Sequence, residues 1–197
     1  MEIKKNPIKT ICVYMGAFDG GDPIYKEKAI ELGHELGKRG YRMVYGGAKT
    51  GLMYEIARAA QEENAYVIGV MPQTLIDGEV ANYDCDEWYA VENMHERKAL
   101  MNKYADAFIV FPGGFGTLEE MAEIITWNQL DIVRKPMCVL NINGYWTPFL
   151  SMIDYMKGQG FIRDNTHKLF SSTTEIDTCF DMLETQDLSP IDKWKKK

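Results

Sequence analysis

Short apolar segments alternate with helical periods along this chain, and this alternation constrains the fold more than any other feature. Strands are predicted at 11–15, 42–45, 66–70, 87–91, 107–111 and 137–140, where apolar and β-branched residues are concentrated. Apolar residues recur at helical spacing in the intervening and following segments. These predict helices at 23–39, 53–60, 93–104, from about Leu118, and at 148–157 and 174–183.

Strands and helices that alternate in this way predict βαβ units and a parallel sheet covered on both faces. The strand segments are nearly continuous apolar runs, as expected for strands buried on both sides. We therefore predict an α/β fold with a doubly wound, Rossmann-like parallel sheet, forming a single domain over 1–197 with its core at about 10–184. Sheets of this type bind ligands at the carboxyl ends of their strands.

Charge and composition exclude several classes of function. The formal net charge is −7, and an acidic surface repels nucleic-acid backbones and anionic membranes. The sequence has no run of about 18 apolar residues, and its charged first residues do not resemble a signal peptide. The four cysteines lack metal-ligand spacing and a disulfide-like pattern. We expect a cytoplasmic protein that binds neither nucleic acid nor membrane and holds no metal.

Two glycine-rich turns directly follow predicted strands, one at 46–51 and one at 112–117. Glycine permits positive φ angles and the close approach of a ligand. Free N–H groups at the start of a helix attract an anion. As a pair the turns favour a nucleotide-type ligand, although each alone could be a tight corner that binds nothing. The candidate binding residues in the turns are Gly46, Gly47, Gly113, Gly114, Phe115, Gly116 and Thr117.

Thr117 and Glu120 also fit a capping box. In that arrangement Thr117 would cap the helix and Glu120 would accept a bond from the N–H of the cap residue. A capping box explains both residues without chemistry, but it does not explain the proline and the glycines that precede them. Both interpretations stay open on these residues alone.

The segment 94–101 places two cations on a helical stripe. Met94, Arg97, Lys98 and Met101 share one face of the predicted helix. The cations could snorkel at the edge of the stripe. They could instead form an anion clamp, in which arginine supplies planar, bidentate donors for phosphate.

Met94-x-x-Arg97-Lys98 and the PGGxGTxxE segment at 112–120 together resemble the paired signature of the LOG ("lonely guy") family. Members of this family are cytokinin-activating nucleoside 5′-monophosphate phosphoribohydrolases, often labelled lysine decarboxylases. The likeness extends through 44–47, 51–53, 67–72, 126–130 and 141–146, and covers the chain from about 11 to 183. Two departures are expected to alter the nucleotide pocket. Residues 15–18 read MGAF where the family usually has CGSS, and Ala48 replaces a common glycine.

The resemblance implies a homodimer that cleaves the bond between base and ribose 5-phosphate. It assigns catalysis to Arg97 and Glu120. It assigns nucleotide contacts to Glu79, Lys98, Thr126 and the turn at 113–117, and we add Met94 from the shared stripe. Glu120 would offset positive charge on an oxocarbenium-like sugar and orient water, with no cofactor required.

Two other functions stay open. A nucleotide-binding or carrier protein without catalysis would keep the glycine turns and need no acid beside them. Amino-acid decarboxylation would use pyridoxal phosphate on a lysine, and no sequence pattern singles out such a lysine.

Overall fold

The computed structural model describes residues 5–76, 78, 80–163 and 165–190, without the side chain of His167. Strands and helices alternate along these residues. The strands are β1 (Thr10–Tyr14), β2 (Arg42–Tyr45), β3 (Val67–Pro72), β4 (Glu87–Val91), β5 (Ala107–Val110), β6 (Met137–Leu140) and β7 (Ser171–Thr173). The α-helices are α1 (Pro23–Lys38), α2 (Gly51–Glu62), α3 (Gln73–Ile76), α4 (Met94–Tyr104), α5 (Phe115–Gln129), α6 (Thr147–Gly158) and α7 (Ile176–Thr185).

All described strands join one parallel sheet in the order β4-β3-β2-β1-β5-β6-β7. The chain winds outward from β1 in one direction as far as β4, then returns to the other side of β1 with β5. This reversal opens a crevice at the carboxyl ends of β1 and β5, where open α/β sheets bind ligands. The predicted doubly wound, Rossmann-like parallel sheet is confirmed.

Successive strand residues point to opposite faces of the sheet, and each face is buried under three helices. One core lies beneath α1, α2 and α7 and contains Val13, Tyr45 and Ile109. The other lies beneath α4, α5 and α6 and contains Tyr14 and Val110. Because neither face of the central strands is left to solvent, β1, β3, β5 and β6 are buried along their whole length. This burial favours the apolar runs that identified these strands in the sequence.

Three elements differ from the sequence-based prediction by more than two residues at an end or were not predicted at all. Helix α5 begins at Phe115 rather than near Leu118, because the backbone becomes helical directly after Gly114, ahead of the apolar stripe that starts at Leu118. Helix α3 is a single turn and was not predicted. Strand β7 was also missed, since its Ser-Ser-Thr sequence has no apolar run and it pairs only with β6 at the edge of the sheet.

None of the helices within the described ranges is long and apolar enough to cross a lipid bilayer. The cysteines at 12, 85, 138 and 179 are all free thiols. Cys12, Cys138 and Cys179 are buried.

Helices α1 and α2 approach each other closely at Gly33. A Cβ atom at this position would lie 2.5 Å from the carbonyl oxygen of Ile56 and 2.7 Å from the Cβ of Ala59. The first of these atoms belongs to the backbone of α2, so it cannot rotate away. Gly33 therefore fixes the distance between the two helices that lead from β1 and β2.

Gly33→Ala is expected to destabilise the protein even though alanine is the better helix former by about 1 kcal/mol. The added methyl must separate α1 from α2, and overpacking of this kind costs about 1–3 kcal/mol. Urea unfolding of the variant measures the change in the free energy of unfolding. Gly158→Ala is the control, since nothing lies within 4 Å of its added Cβ. Equal stability of the two variants would contradict the close approach.

Candidate active site

A cavity of about 450 Å³ lies at the carboxyl ends of β1 and β5. This is the crevice created by the reversal of strand order, and its volume suits a small ligand. Its walls come from the segments after β1 and β5, the beginnings of α1, α2, α4 and α5, and Tyr145. Both Arg97 and Glu120 face it.

The turn at 112–117 packs closely against the segment that follows β1. The carbonyl of Pro112 accepts a hydrogen bond from the N–H of Gly16 at 3.0 Å. A Cβ at Gly113 would lie 2.1 Å from the Thr117 hydroxyl and 2.7 Å from the Gly16 nitrogen, so only glycine fits. Helix α5 begins directly after its N-cap Gly114, which has no side chain to cap it. The first N–H groups of α5 therefore stay available at the cavity, which favours an anion.

The capping-box interpretation of Thr117 and Glu120 is wrong. The N-cap of α5 is Gly114, so Thr117 is already inside the first turn and Glu120 lies one turn further on. The Glu120 carboxylate is directed toward Arg97 instead of the helix start. Glu120 is therefore free to act on a ligand in the cavity.

Arg97 and Glu120 form a buried pair. Their side chains are separated by 3.8 Å between Nη1 and Oε1, and only 6% and 4% of each residue is exposed. The Nε of Arg97 donates to the carbonyl of Val70 in β3, at 3.1 Å. A Cβ at Gly46 would lie 1.8 Å from Nη2 of Arg97. The first glycine turn therefore provides the space that the guanidinium occupies.

The pKa of Glu120 is raised to about 7. Burial is the main cause, because removing a carboxylate from water disfavours its charged form. The Arg97 guanidinium opposes this effect and lowers the pKa, while Glu119 raises it further. A carboxyl group that titrates near neutral pH can exchange protons with a substrate or with water under physiological conditions.

The Lys98 side chain has different partners from that of Arg97. Its ammonium group pairs with the carboxylates of Glu119 and Glu123 on α5, the second at 3.0 Å. Lys98 is buried, so the snorkelling interpretation of the two cations is wrong. It is not among the residues that line the cavity. In this structure Lys98 joins α4 to α5, and of the two cations only Arg97 faces the cavity.

The remaining predicted residues divide into three groups. Met94 and Phe115 line the cavity, and Phe115 is 92% exposed. Gly47 packs against Trp88, and the Thr126 hydroxyl bonds to the carbonyl of Ala122 within α5, so neither lies on the cavity wall. Glu79 lies outside the described residues.

A second cavity of about 610 Å³ adjoins the first. It is bounded by Gly46 and by apolar side chains that include Met71, Leu75 and Val80. The two cavities share four residues: Ala17, Phe18, Met53 and Arg97. Of these, the sequence analysis assigned a functional role only to Arg97. Residues 17 and 18 lie in the segment that departs from the family pattern. That departure was the sequence signal that could have placed them in the site.

The described residues contain no cluster of three or more His, Cys, Asp or Glu side chains suited to a metal ion. The site is instead built from backbone N–H groups at a helix start and a buried acid–arginine pair. Together with the Rossmann-like sheet, these features define a class of α/β protein suited to small phosphorylated ligands.

Comparison with known proteins gives the family. Residues 53–183 match the family described as "Possible lysine decarboxylase". The cytokinin riboside 5′-monophosphate phosphoribohydrolase LOG of Oryza sativa subsp. japonica is 45% identical over 86% of this chain and 70% of its own length. LOG7 of Arabidopsis thaliana, with the same activity in its name, is 45% identical over 87% of this chain and 79% of its own. The chain therefore belongs to the LOG family of possible lysine decarboxylases.

Solved structures of more distant proteins share the fold. The molybdenum cofactor binding protein from the phototrophic bacterium Rippkaea orientalis has a TM-score of 0.65 at 17% identity, over 89% of this chain and 95% of that one. The Moco carrier protein from Chlamydomonas reinhardtii has a TM-score of 0.65 at 18% identity, over 89% and 94%. At this level of identity the similarity extends to the fold alone.

Gly46→Ala is expected to displace the Arg97 guanidinium, because the arginine side chain can move more easily than the backbone that follows β2. With the cation further away, the pKa of Glu120 should rise above about 7. Carboxyl-carbon NMR titration of ¹³C-glutamate-labelled protein measures this value, with the Glu120 signal assigned by its loss in Glu120→Gln. Gly158→Ala serves as the control. An unchanged titration in Gly46→Ala would show that Arg97 keeps its place.

Proposed function

We propose that this protein is a nucleoside 5′-monophosphate phosphoribohydrolase. Its substrate would be a cytokinin riboside 5′-monophosphate or AMP, and its products the free base and ribose 5-phosphate. The observation that carries the proposal is the position of Glu120. This buried carboxyl group, with a pKa of about 7, faces the same cavity as the uncapped start of its own helix. The named activity of the relatives supports the same reaction.

Helix geometry relates the two ends of the substrate. The 5′-phosphate would bind the N–H groups of 115–117 at the start of α5. Glu120 follows Thr117 by three residues, about 4.5 Å along the helix axis. This rise is on the scale of a ribose ring, so a phosphate bound at the helix start would bring the anomeric carbon near the carboxylate.

The chemistry follows from that placement. Water adds its oxygen to C1′ as the C1′–N bond breaks, and Glu120 accepts a proton from the water. The ionised carboxylate also offsets the positive charge that develops on the sugar. The proton that Glu120 accepted is passed to the departing base, which leaves as the neutral heterocycle and returns Glu120 to its ionised form. Arg97 holds Glu120 in place and offers its outer guanidinium nitrogens to the nucleotide.

The two alternative functions fit the described site less well. A pyridoxal-phosphate decarboxylase needs a lysine amine at the reaction centre. No lysine is among the residues that line the two cavities described above. A nucleotide carrier does not need a buried acid beside its ligand. Incubation with AMP separates a carrier from a hydrolase, because only the hydrolase releases free adenine.

Glu120→Gln is expected to lower kcat for AMP by about 10²–10⁴-fold, the usual contribution of a positioned acid or base, while AMP still binds. Adenine release measured by chromatography gives kcat, and calorimetry gives the affinity. Glu123→Gln is the matched control, because Glu123 lies on the same helix and pairs with Lys98. Normal turnover by Glu120→Gln would remove Glu120 from the chemistry.

The wild-type kcat/KM should also decline below pH about 7, as Glu120 becomes protonated.

We also propose that the protein is a homodimer, as its family resemblance implies. Helix α6 has no fully buried residue in the single chain. Its side chains Phe149 and Ile153 pack partly against the core, while Met152 and Tyr155 are 45% and 67% exposed. A helix that packs apolar side chains inward and also exposes large ones on its outer side fits the surface of a subunit interface. The cytoplasmic location and the single-domain boundaries stay predictions.

Replacing both Met152 and Tyr155 with glutamate is expected to convert the dimer to a monomer, because each subunit would bury new charges against its partner. Light scattering should give twice the mass of one chain for the wild type and a single-chain mass for the double variant. Tyr83→Glu is the control, since Tyr83 is comparably exposed but lies between α3 and β4. A wild-type protein that scatters as a monomer at micromolar concentration would refute the dimer.

A further inference from the structure

The loop between β6 and α6 is shaped to present Tyr145. Asn143 and Gly144 have φ angles of 51° and 73°, a left-handed region that asparagine and glycine tolerate better than other residues. The Asn141 side chain closes the loop by accepting the N–H of Trp146 at 2.7 Å. The Asn143 amide donates to Asp22, the N-cap of α1, at 3.1 Å. These contacts fix the loop against the start of α1.

Tyr145 reaches from this loop to the glycine turn after β5. Its hydroxyl donates to the carbonyl of Gly113 at 2.6 Å. Its ring contacts Tyr25 and Trp146 in edge-on geometry, at centroid distances of 5.8 Å and 5.0 Å. The ring is therefore held from two sides, and the hydroxyl is directed at one backbone atom.

That bond completes a set of three on the turn. The Pro112 carbonyl accepts from the N–H of Gly16, and the Gly114 carbonyl accepts from the N–H of Leu118, each at 3.0 Å. Between them, the Gly113 carbonyl accepts from Tyr145. Three consecutive carbonyl oxygens thus have protein donors. A carbonyl turned into the cavity would repel phosphate, whereas the N–H groups of the turn attract it.

The three bonds differ in how securely they are made. The Pro112 and Gly114 carbonyls are held by backbone donors, one of them within the helix. The peptide unit between Gly113 and Gly114 is flanked by two glycines, which permit many backbone conformations. Its orientation is held by the hydroxyl of one side chain, that of Tyr145.

We propose that Tyr145 is a positioning residue for phosphate binding. By holding the Gly113 carbonyl, it keeps the turn in the conformation whose N–H groups bind the 5′-phosphate. Tyr145 acts through the turn and need not touch the reacting atoms. This role rests on the proposed function for the identity of the ligand, and it concerns the phosphate end rather than the glycosidic bond.

Tyr145→Phe removes the hydroxyl and retains the ring contacts, so the variant should fold with an unchanged unfolding temperature. The dissociation constants of AMP and of adenosine are measured by calorimetry in the Glu120→Gln background, which prevents turnover. AMP binding should weaken about tenfold, as expected for one hydrogen bond to the turn. Adenosine has no phosphate, so its affinity should stay within about twofold. In the active protein, KM for AMP should rise more than kcat falls.

Tyr66→Phe is the matched control. It also removes a tyrosine hydroxyl bond, to Glu87 at 3.2 Å, but near the amino end of β3, away from the cavity. It should change neither affinity. Equal weakening of AMP and adenosine by Tyr145→Phe would indicate a general structural role and overturn the proposal, as would an unchanged AMP affinity. Wild-type protein that binds AMP without releasing adenine would instead overturn the hydrolase function and leave the role of Tyr145 standing.

Discussion

The buried pairing of Arg97 with Glu120 is the interaction on which the site depends. A carboxylate inside a protein is costly unless a cation and hydrogen bonds compensate for lost water. At 3.8 Å, Arg97 compensates for the lost water only in part. The pKa of Glu120 therefore stays raised, at about 7. A shorter, bidentate pair would lower that pKa and leave a permanently ionised, fully engaged carboxylate. The loose geometry keeps Glu120 able to take and release a proton.

The two glycine turns serve this pair in different ways, although they look equivalent in the sequence. At the end of β2, the missing side chain of Gly46 leaves space for the guanidinium of Arg97. After β5, Gly113 allows the turn to pack between Gly16 and Thr117, so that α5 begins at the cavity and carries Glu120 one turn later. One turn therefore positions the arginine and the other positions the acid. The topology of the sheet brings them together.

The sequence predicted the central strands well because burial on both faces favours continuous apolar runs. Strands β2, β4 and β6 have the predicted bounds. It missed β7, whose polar residues carry no such pattern. Within the site, helical spacing put Arg97 and Lys98 on one face, but it could not separate their roles. That separation depends on Glu119 and Glu123, which meet Lys98 only after the sheet sets α4 beside α5. The bond from Tyr145 to Gly113 spans 32 residues and has no local signature.

Stability and function oppose each other at this cavity. The start of α5 has no side-chain cap, and charging Glu120 is unfavourable in the folded protein. Both features cost stability that a capping serine or an apolar core residue would restore. In the proposed function, the substrate compensates for the unpaired N–H groups and for the buried charge at different stages of the reaction. The phosphate satisfies the N–H groups of α5 on binding, and the developing charge on the ribose compensates the carboxylate only in the transition state. Because the attraction between the Glu120 carboxylate and the ribose charge is absent from the ground state, it lowers the activation barrier and does not merely tighten substrate binding.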